Sequence, residues 1–167
     1  IASFISIQAM RFLKDGDPGM ALRKVTALSS LLFMGLMFGF FILTPVNLKL
    51  WLCVVVGTLA GIGIGLITEY YTGGKPVFQI VDGARTGPAT CVISGIALGF
   101  QSVALPMLII ALATFLSFYF GDFYGSAIAG ISMLATVGIT MTIDAYGPIA
   151  DNAGGISEMA ELGKETR

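Results

Sequence analysis

Phe123-Tyr-Gly-Ser-Ala-Ile-Ala-Gly-Ile-Ser-Met-Leu-Ala-Thr-Val-Gly-Ile-Thr-Met-Thr-Ile143 carries no charge and runs directly into Asp144-Ala-Tyr-Gly-Pro-Ile-Ala-Asp151-Asn-Ala-Gly-Gly155. A helix that takes the first stretch through a bilayer delivers Asp144 and Asp151 near one membrane face. Seven residues make nearly two helical turns, so the two carboxylates point the same way about 10 Å apart. Oxygen ligands at such a place suit a hard cation, a phosphate-bound Mg2+ or a translocated ion better than they suit packing.

The rest of the chain is equally apolar. Of 167 residues, 56% are hydrophobic and 11% charged, and the mean hydropathy is +0.89, well beyond a soluble domain. This composition reads as an integral membrane protein. A net charge of -1, with no aromatic and basic residues interleaved, excludes nucleic acid as a partner. Histidine is absent, and Cys53 and Cys91 both sit in apolar surroundings. That removes the usual zinc ligands and any disulfide framework. No Gly-x4-Gly-Lys-Ser/Thr loop argues for a bound nucleotide. Ile1 to Met10 is apolar, too short to cross a bilayer, and lacks the basic start of a signal peptide. It reads as the tail of a cut helix, and the polar turn from Glu158 to Arg167 reads as a missing next element. The expectation is an internal piece of a longer protein.

Four full spans and the end of one more are expected. They lie at 1–12 (partial), 25–44, 50–68, 86–120 and 124–151, in a single transmembrane domain. Val25 to Thr44 is charge-free between Arg23-Lys24 and Pro45, and Leu50 to Thr68 lies between Lys49 and Glu69-Tyr70-Tyr71, whose tyrosines suit an interfacial belt. The charge-free run from Thr86 to Gly121 could be one long helix or two short ones. Pro106 removes a backbone donor and disfavours helix at Leu105, so a break near 101–106 is expected. Basic residues collect on the cytoplasmic side. With one crossing at 86–120, Arg11, Lys14, Arg23, Lys24, Lys75, Arg85, Lys164 and Arg167 share a side, and only Lys49 lies opposite. The carboxylate motif then faces the cytoplasm, and Asp122 occupies a tight turn on the other side.

Glycines recur at four-residue spacing, at Gly35 and Gly39, Gly57, Gly61 and Gly65, Gly95 and Gly99, and Gly121 and Gly125. Such stripes let helices approach closely in lipid. Ser94, Gln101, Ser102, Thr136 and Thr140 read as partners in hydrogen bonds between helices. Gln101-Ser102 beside the Pro106 break is the exception, where freed carbonyls could line a cavity.

Terminal aspartates ordinarily cap helices. Here Tyr146-Gly147-Pro148 lies between Asp144 and Asp151 and is expected to interrupt the helix, while Gly154-Gly155 permits close approach by a backbone or a phosphate. Asp151 and Asn152 supply carboxylate and amide oxygens side by side, and magnesium needs only one or two protein carboxylates beside phosphate oxygens and waters.

These residues resemble a known family. Asp144-Ala-Tyr-Gly-Pro-Ile-Ala-Asp-Asn-Ala-Gly-Gly-Ile-Ser-Glu-Met159 looks like the motif of membrane-integral inorganic pyrophosphatases, pumps that couple pyrophosphate hydrolysis to proton or sodium transport. Thr68-Glu-Tyr-Tyr-Thr72, Thr86-Gly-Pro-Ala-Thr90 and Gly99-Phe-Gln-Ser-Val-Ala-Leu-Pro106 extend the resemblance in the family's order over nearly the whole chain. Ser157 departs from the family's common Ala. The resemblance implies an all-α integral membrane protein of sixteen helices in two rings, working as a homodimer. This chain would supply the end of the seventh helix and the eighth to the eleventh.

By the same resemblance, Asp151 is the Asp that helps bind magnesium pyrophosphate at the cytoplasmic hydrolytic centre, with Asp144 and Asn152 as further motif positions. The cofactor implied is Mg2+, with K+, and Na+ for a sodium pump, left open. The family's water-activating aspartates, phosphate-binding lysines and ion gate match no residue of this chain, so the chain alone is expected to be inactive. The competing reading is a secondary transporter binding a coupling ion at Asp144 and the 101–106 break, without hydrolysis.

Overall fold

The computed structural model describes residues 1–9 and 18–163, less the side chains of residues 18, 19, 143, 144 and 146. Every regular element among them is helical: α1 (Ala2–Ala9), α2 (Pro18–Leu43), α3 (Lys49–Gly73), α4 (Phe78–Thr86), α5 (Pro88–Met133) and α6 (Val137–Met159), with single 3-10 turns at Lys75–Val77 and Leu134–Thr136. The expected spans at 1–12 and 124–151 draw in part on residues 10–12 and on the side chains of 143, 144 and 146, which lie outside the described part.

Among the described residues, three stretches are long and apolar enough to cross a membrane: Met20–Leu43, Lys49–Thr86 and Pro88–Met159. The last would extend about 108 Å as one rod, more than three times the hydrocarbon core. It is not one rod. Gly121 and Asp122 leave helical backbone inside α5, Asp122 with φ 52° and ψ -148°. Positive φ with that ψ is a strained backbone for a residue with a Cβ, and it occurs at the turn.

The break turns α5 into a hairpin, as its contacts with α3 show. Cys53 lies against the Ser117 carbonyl and Gly63 against Ile109, so residues 88–120 run antiparallel to α3. After the turn, Gly125 lies against Cys53, Gly57 against Ala129 and Gly61 against Met133, so residues 123–133 run parallel to it. Small residues make this approach possible. A Cβ at Gly61 would stand 2.9 Å from the Met133 carbonyl oxygen, and one at Gly125 would stand 2.5 Å from that of Ser117. Gly35, Gly39, Gly95 and Gly99 have open space instead. Their stripes are not spent on contacts among the described residues.

The break expected near 101–106 is absent. The helix runs through Gln101 to Pro106, since only Gly121 and Asp122 depart from helical angles in α5. Proline forfeits one backbone bond, and a membrane helix absorbs that loss locally. Two of the hydroxyls expected to bridge helices bond their own helix instead: Ser102 donates to Gly99 O at 2.7 Å and Thr140 to Thr136 O at 3.3 Å. The nearest carbonyl lies one turn back, so no partner helix is required.

The chain divides into two compact units, Ile1–Phe33 with Ala135–Arg167, and Met34–Leu134. In the second, the indole N–H of Trp51 donates to Met34 O at 3.0 Å while its ring meets Phe38 edge-on at 5.0 Å. In the first, Ser3 donates to Ala135 O at 3.0 Å, and Val25 and Ile139 are fully buried. That bond ties α1 to the segment entering α6, the helix that carries the carboxylate motif.

Candidate functional site

α6 begins after the 3-10 turn and is braced in its first turns by hydroxyls, Thr142 donating to Gly138 O at 2.8 Å. It runs unbroken from Val137 to Met159, with Pro148 inside it. The interruption expected at Tyr146-Gly147-Pro148 is therefore absent. Proline at 148 still has no N–H, so the carbonyl of residue 144 loses its usual helical donor. The chain thus keeps a backbone oxygen available without breaking the rod that positions Asp151.

The C-terminal end closes through a Schellman arrangement. Leu162 N donates to Ser157 O and Glu161 N to Glu158 O, both at 3.1 Å. Glu161 holds the left-handed position with φ 53°, where glycine is usual. The sequence carries no glycine signal for this cap, because the nearest glycine, Gly163, lies two residues too late.

Asp151 and Asn152 are both exposed on α6, adjacent in sequence and about 100° apart around the axis. Gly147, Gly154 and Gly155 have no atom within 4 Å of where a Cβ would stand. Asp151 therefore projects beside a strip of bare backbone that another molecule or helix can approach. The side chain of Asp144 lies outside the described part; its backbone is helical, seven residues before Asp151, which keeps the two on one face. Glu158 continues the same spacing and is exposed.

Oxygen donors of this kind suit a hard cation, and Asp151 with Asn152 fits the protein share of a magnesium site. They do not complete one. Among the described residues, no group of three or more His, Cys, Asp or Glu side chains is gathered as a metal would require. Glu69 and Asp82 are exposed elsewhere, Asp82 paired with Arg85 at 3.7 Å.

The Thr86 to Thr90 motif takes a structural role not legible in sequence. Thr90 Oγ1 lies 2.8 Å from both Gly83 O and Gly87 O and 2.6 Å from Thr86 Oγ1. Gly87, at φ 145°, makes the corner. This knot fastens α4 to the start of α5.

Residues 1–167 match the family model described as inorganic H+ pyrophosphatase. The chain belongs to this family. A putative K(+)-stimulated pyrophosphate-energized sodium pump of Bacteroides thetaiotaomicron is 45% identical over 85% of this chain and 21% of its own length. A protein of the same name from Clostridium tetani is 38% identical over 100% of this chain and 26% of its own length. A K(+)-insensitive pyrophosphate-energized proton pump of Moorella thermoacetica is 36% identical over 100% of this chain and 27% of its own length. The chain spans about a quarter of the length of these membrane pyrophosphatase relatives. The all-helical architecture and the apolar, bilayer-length helices agree with membership in a membrane pyrophosphatase family.

Proposed function

We propose that the protein, with the remainder of the membrane pyrophosphatase fold around it, hydrolyses pyrophosphate to two phosphates and couples the reaction to moving protons or sodium ions out of the cytoplasm. The observation that carries this reading is Asp151, an exposed carboxylate on a continuous helix beside bare glycine backbone, within a chain that matches the family over its whole length.

In this reading Asp151 and Asn152 contribute oxygen ligands to Mg2+, and Asp144 adds a carboxylate one heptad earlier. Gly154 and Gly155 leave room for the phosphate oxygens to come close to α6. Mg2+ held there would neutralise phosphate charge. α6 acts as a rigid holder, since a helix anchored at one end by hydroxyl bonds and closed at the other fixes the direction of its ligands. Activation of the attacking water belongs to residues outside this chain, so the chain alone is inactive. The excess of basic residues on one side supports a cytoplasmic position for the acidic tip, and a homodimer in the bilayer is the proposed assembly. K+ and Na+ dependence follow the subtype.

The transporter alternative loses its main support, because the crossing at 101–106 is continuous. Reconstitution of the full-length protein in sealed vesicles tests the proposal. Pyrophosphate with Mg2+ added outside should drive proton or sodium uptake into vesicles whose cytoplasmic face is outward, with phosphate released in step. Ion uptake that follows a gradient alone, with no phosphate released, would replace the pump by the transporter.

A further inference from the structure

Within the unit formed by Ile1–Phe33 and Ala135–Arg167, the helices meet through small residues. On α1, Ala2 and Ser6 are buried and Ser3 is half-buried, while Phe4 and Ile5 are 68% and 47% exposed. On α2, Val25 and Ser29 are fully buried, four residues apart and so on one helix face. Small side chains let backbones approach, and their hydroxyls then need acceptors. Ser30 takes the Thr26 carbonyl of its own helix. Ser3 instead reaches across: its hydroxyl donates to Ala135 O at 3.0 Å, and Ser29 Oγ lies 3.5 Å from Ser3 Oγ. Gly138 makes room for this, since a Cβ there would stand 3.4 Å from that of Ser3.

Ala135 is a consequential acceptor. It lies in the 3-10 turn Leu134–Thr136, where the backbone passes into the ladder of α6, and a 3-10 turn has poorer hydrogen-bond geometry than the helix it leads into. From there α6 continues to Met159 as one helix, so the direction taken at Ala135 is the direction of the whole rod. Asp151 lies about 24 Å along it, and a tilt of about 5° at the turn moves position 151 by about 2 Å. Misplacement of that order is costly wherever a group must meet a metal or a reacting molecule. Ser6 offers the contrast, one turn further along α1: its hydroxyl is buried and has no hydrogen-bond partner among the described residues.

We propose that Ser3 is a positioning residue for Asp151, its hydroxyl fixing the turn from which α6 leaves and thereby the place of the carboxylate. The inference rests on Asp151 contributing to a magnesium pyrophosphate site, and adds to that site a residue of another helix, outside the carboxylate motif. Ser3 touches neither metal nor substrate; it acts through the aim of α6.

Phosphate release from pyrophosphate by the full-length protein, titrated with Mg2+, tests this. Ser3→Ala should raise the Mg2+ concentration for half-maximal release by about 10-fold, the lower end of the loss when an outer support of a metal site is removed. Ser3→Thr keeps the donor and should restore the original requirement. Ser6→Ala removes a hydroxyl that makes no bond and should leave the requirement unchanged. In an Asp151→Ala background, Ser3→Ala should add nothing, since residues that act through one group are not additive. A requirement unchanged in Ser3→Ala but raised in Asp151→Ala would overturn the role of Ser3 and leave α6 in the hydrolytic centre; one unchanged in both would overturn both. An equal rise in Ser6→Ala, or a full further rise in the double variant, would mean general loosening of the helices and would also overturn the role. If Ser3→Ala does not fold, Ser3→Cys carries the test: its thiol is a weak donor, so the requirement should still rise, and no rise would overturn the proposal.

Discussion

Gly57 lies so close to Ala129 that a Cβ at position 57 would overlap the Ala129 carbonyl. This one approach sets the distance between α3 and the returning arm of α5, and the sequence spacing of Gly57 and Gly61 fits it because residues four apart share a helix face.

Gly57→Ala should therefore lower the thermal stability of the full-length protein, by about 1 to 3 kcal/mol as overpacked sites do. Gly61→Ala should cost less but still destabilise, since its nearest atom, the Met133 carbonyl oxygen, is 2.9 Å away, a milder overlap than at Gly57. Melting temperatures of the two purified variants check the order, and an equal or reversed order would contradict the packing described.

Thr90→Val keeps the shape of the side chain and removes the hydroxyl from the knot with Thr86 and Gly83. The cost should be about 0.5 to 1.5 kcal/mol. Limited proteolysis at the corner of α4 and α5 should be faster in Thr90→Val than in Thr90→Ser, which keeps the donor.

Trp51→Phe retains an aromatic ring against Phe38 but loses the N–H bond to Met34 O. The Met34 carbonyl already has its helical partner, so the loss should be modest, about 1 kcal/mol. A melting temperature unchanged within error would show that this bond contributes nothing beyond the ring contact.

The fold was legible where charge or size left a mark. Asp122 announced the turn because a lone carboxylate between two long apolar runs has nowhere to sit except water, and Gly57 and Gly61 announced a close helix contact. Pro106 and Pro148 misled, because a proline inside a long helix costs one backbone bond and does not stop it. The cap at Glu161 was hidden, since a non-glycine residue held a position where glycine is the usual signal. The candidate site rests on Asp151 and Asn152, whose oxygens the sequence shows and to which the structure adds their exposure. A complete set of metal ligands could not be named, and among the described residues no three such side chains are gathered.

Magnesium-dependent phosphate release from pyrophosphate by the full-length Asp151→Ala protein tests the central claim most directly. The account predicts a fall of at least about 10-fold at saturating Mg2+, the loss usual when a group supporting a metal site is removed, with the melting temperature kept because Asp151 is exposed. Release at the unaltered rate, from a protein of unaltered stability, would remove α6 from the hydrolytic centre and contradict the account.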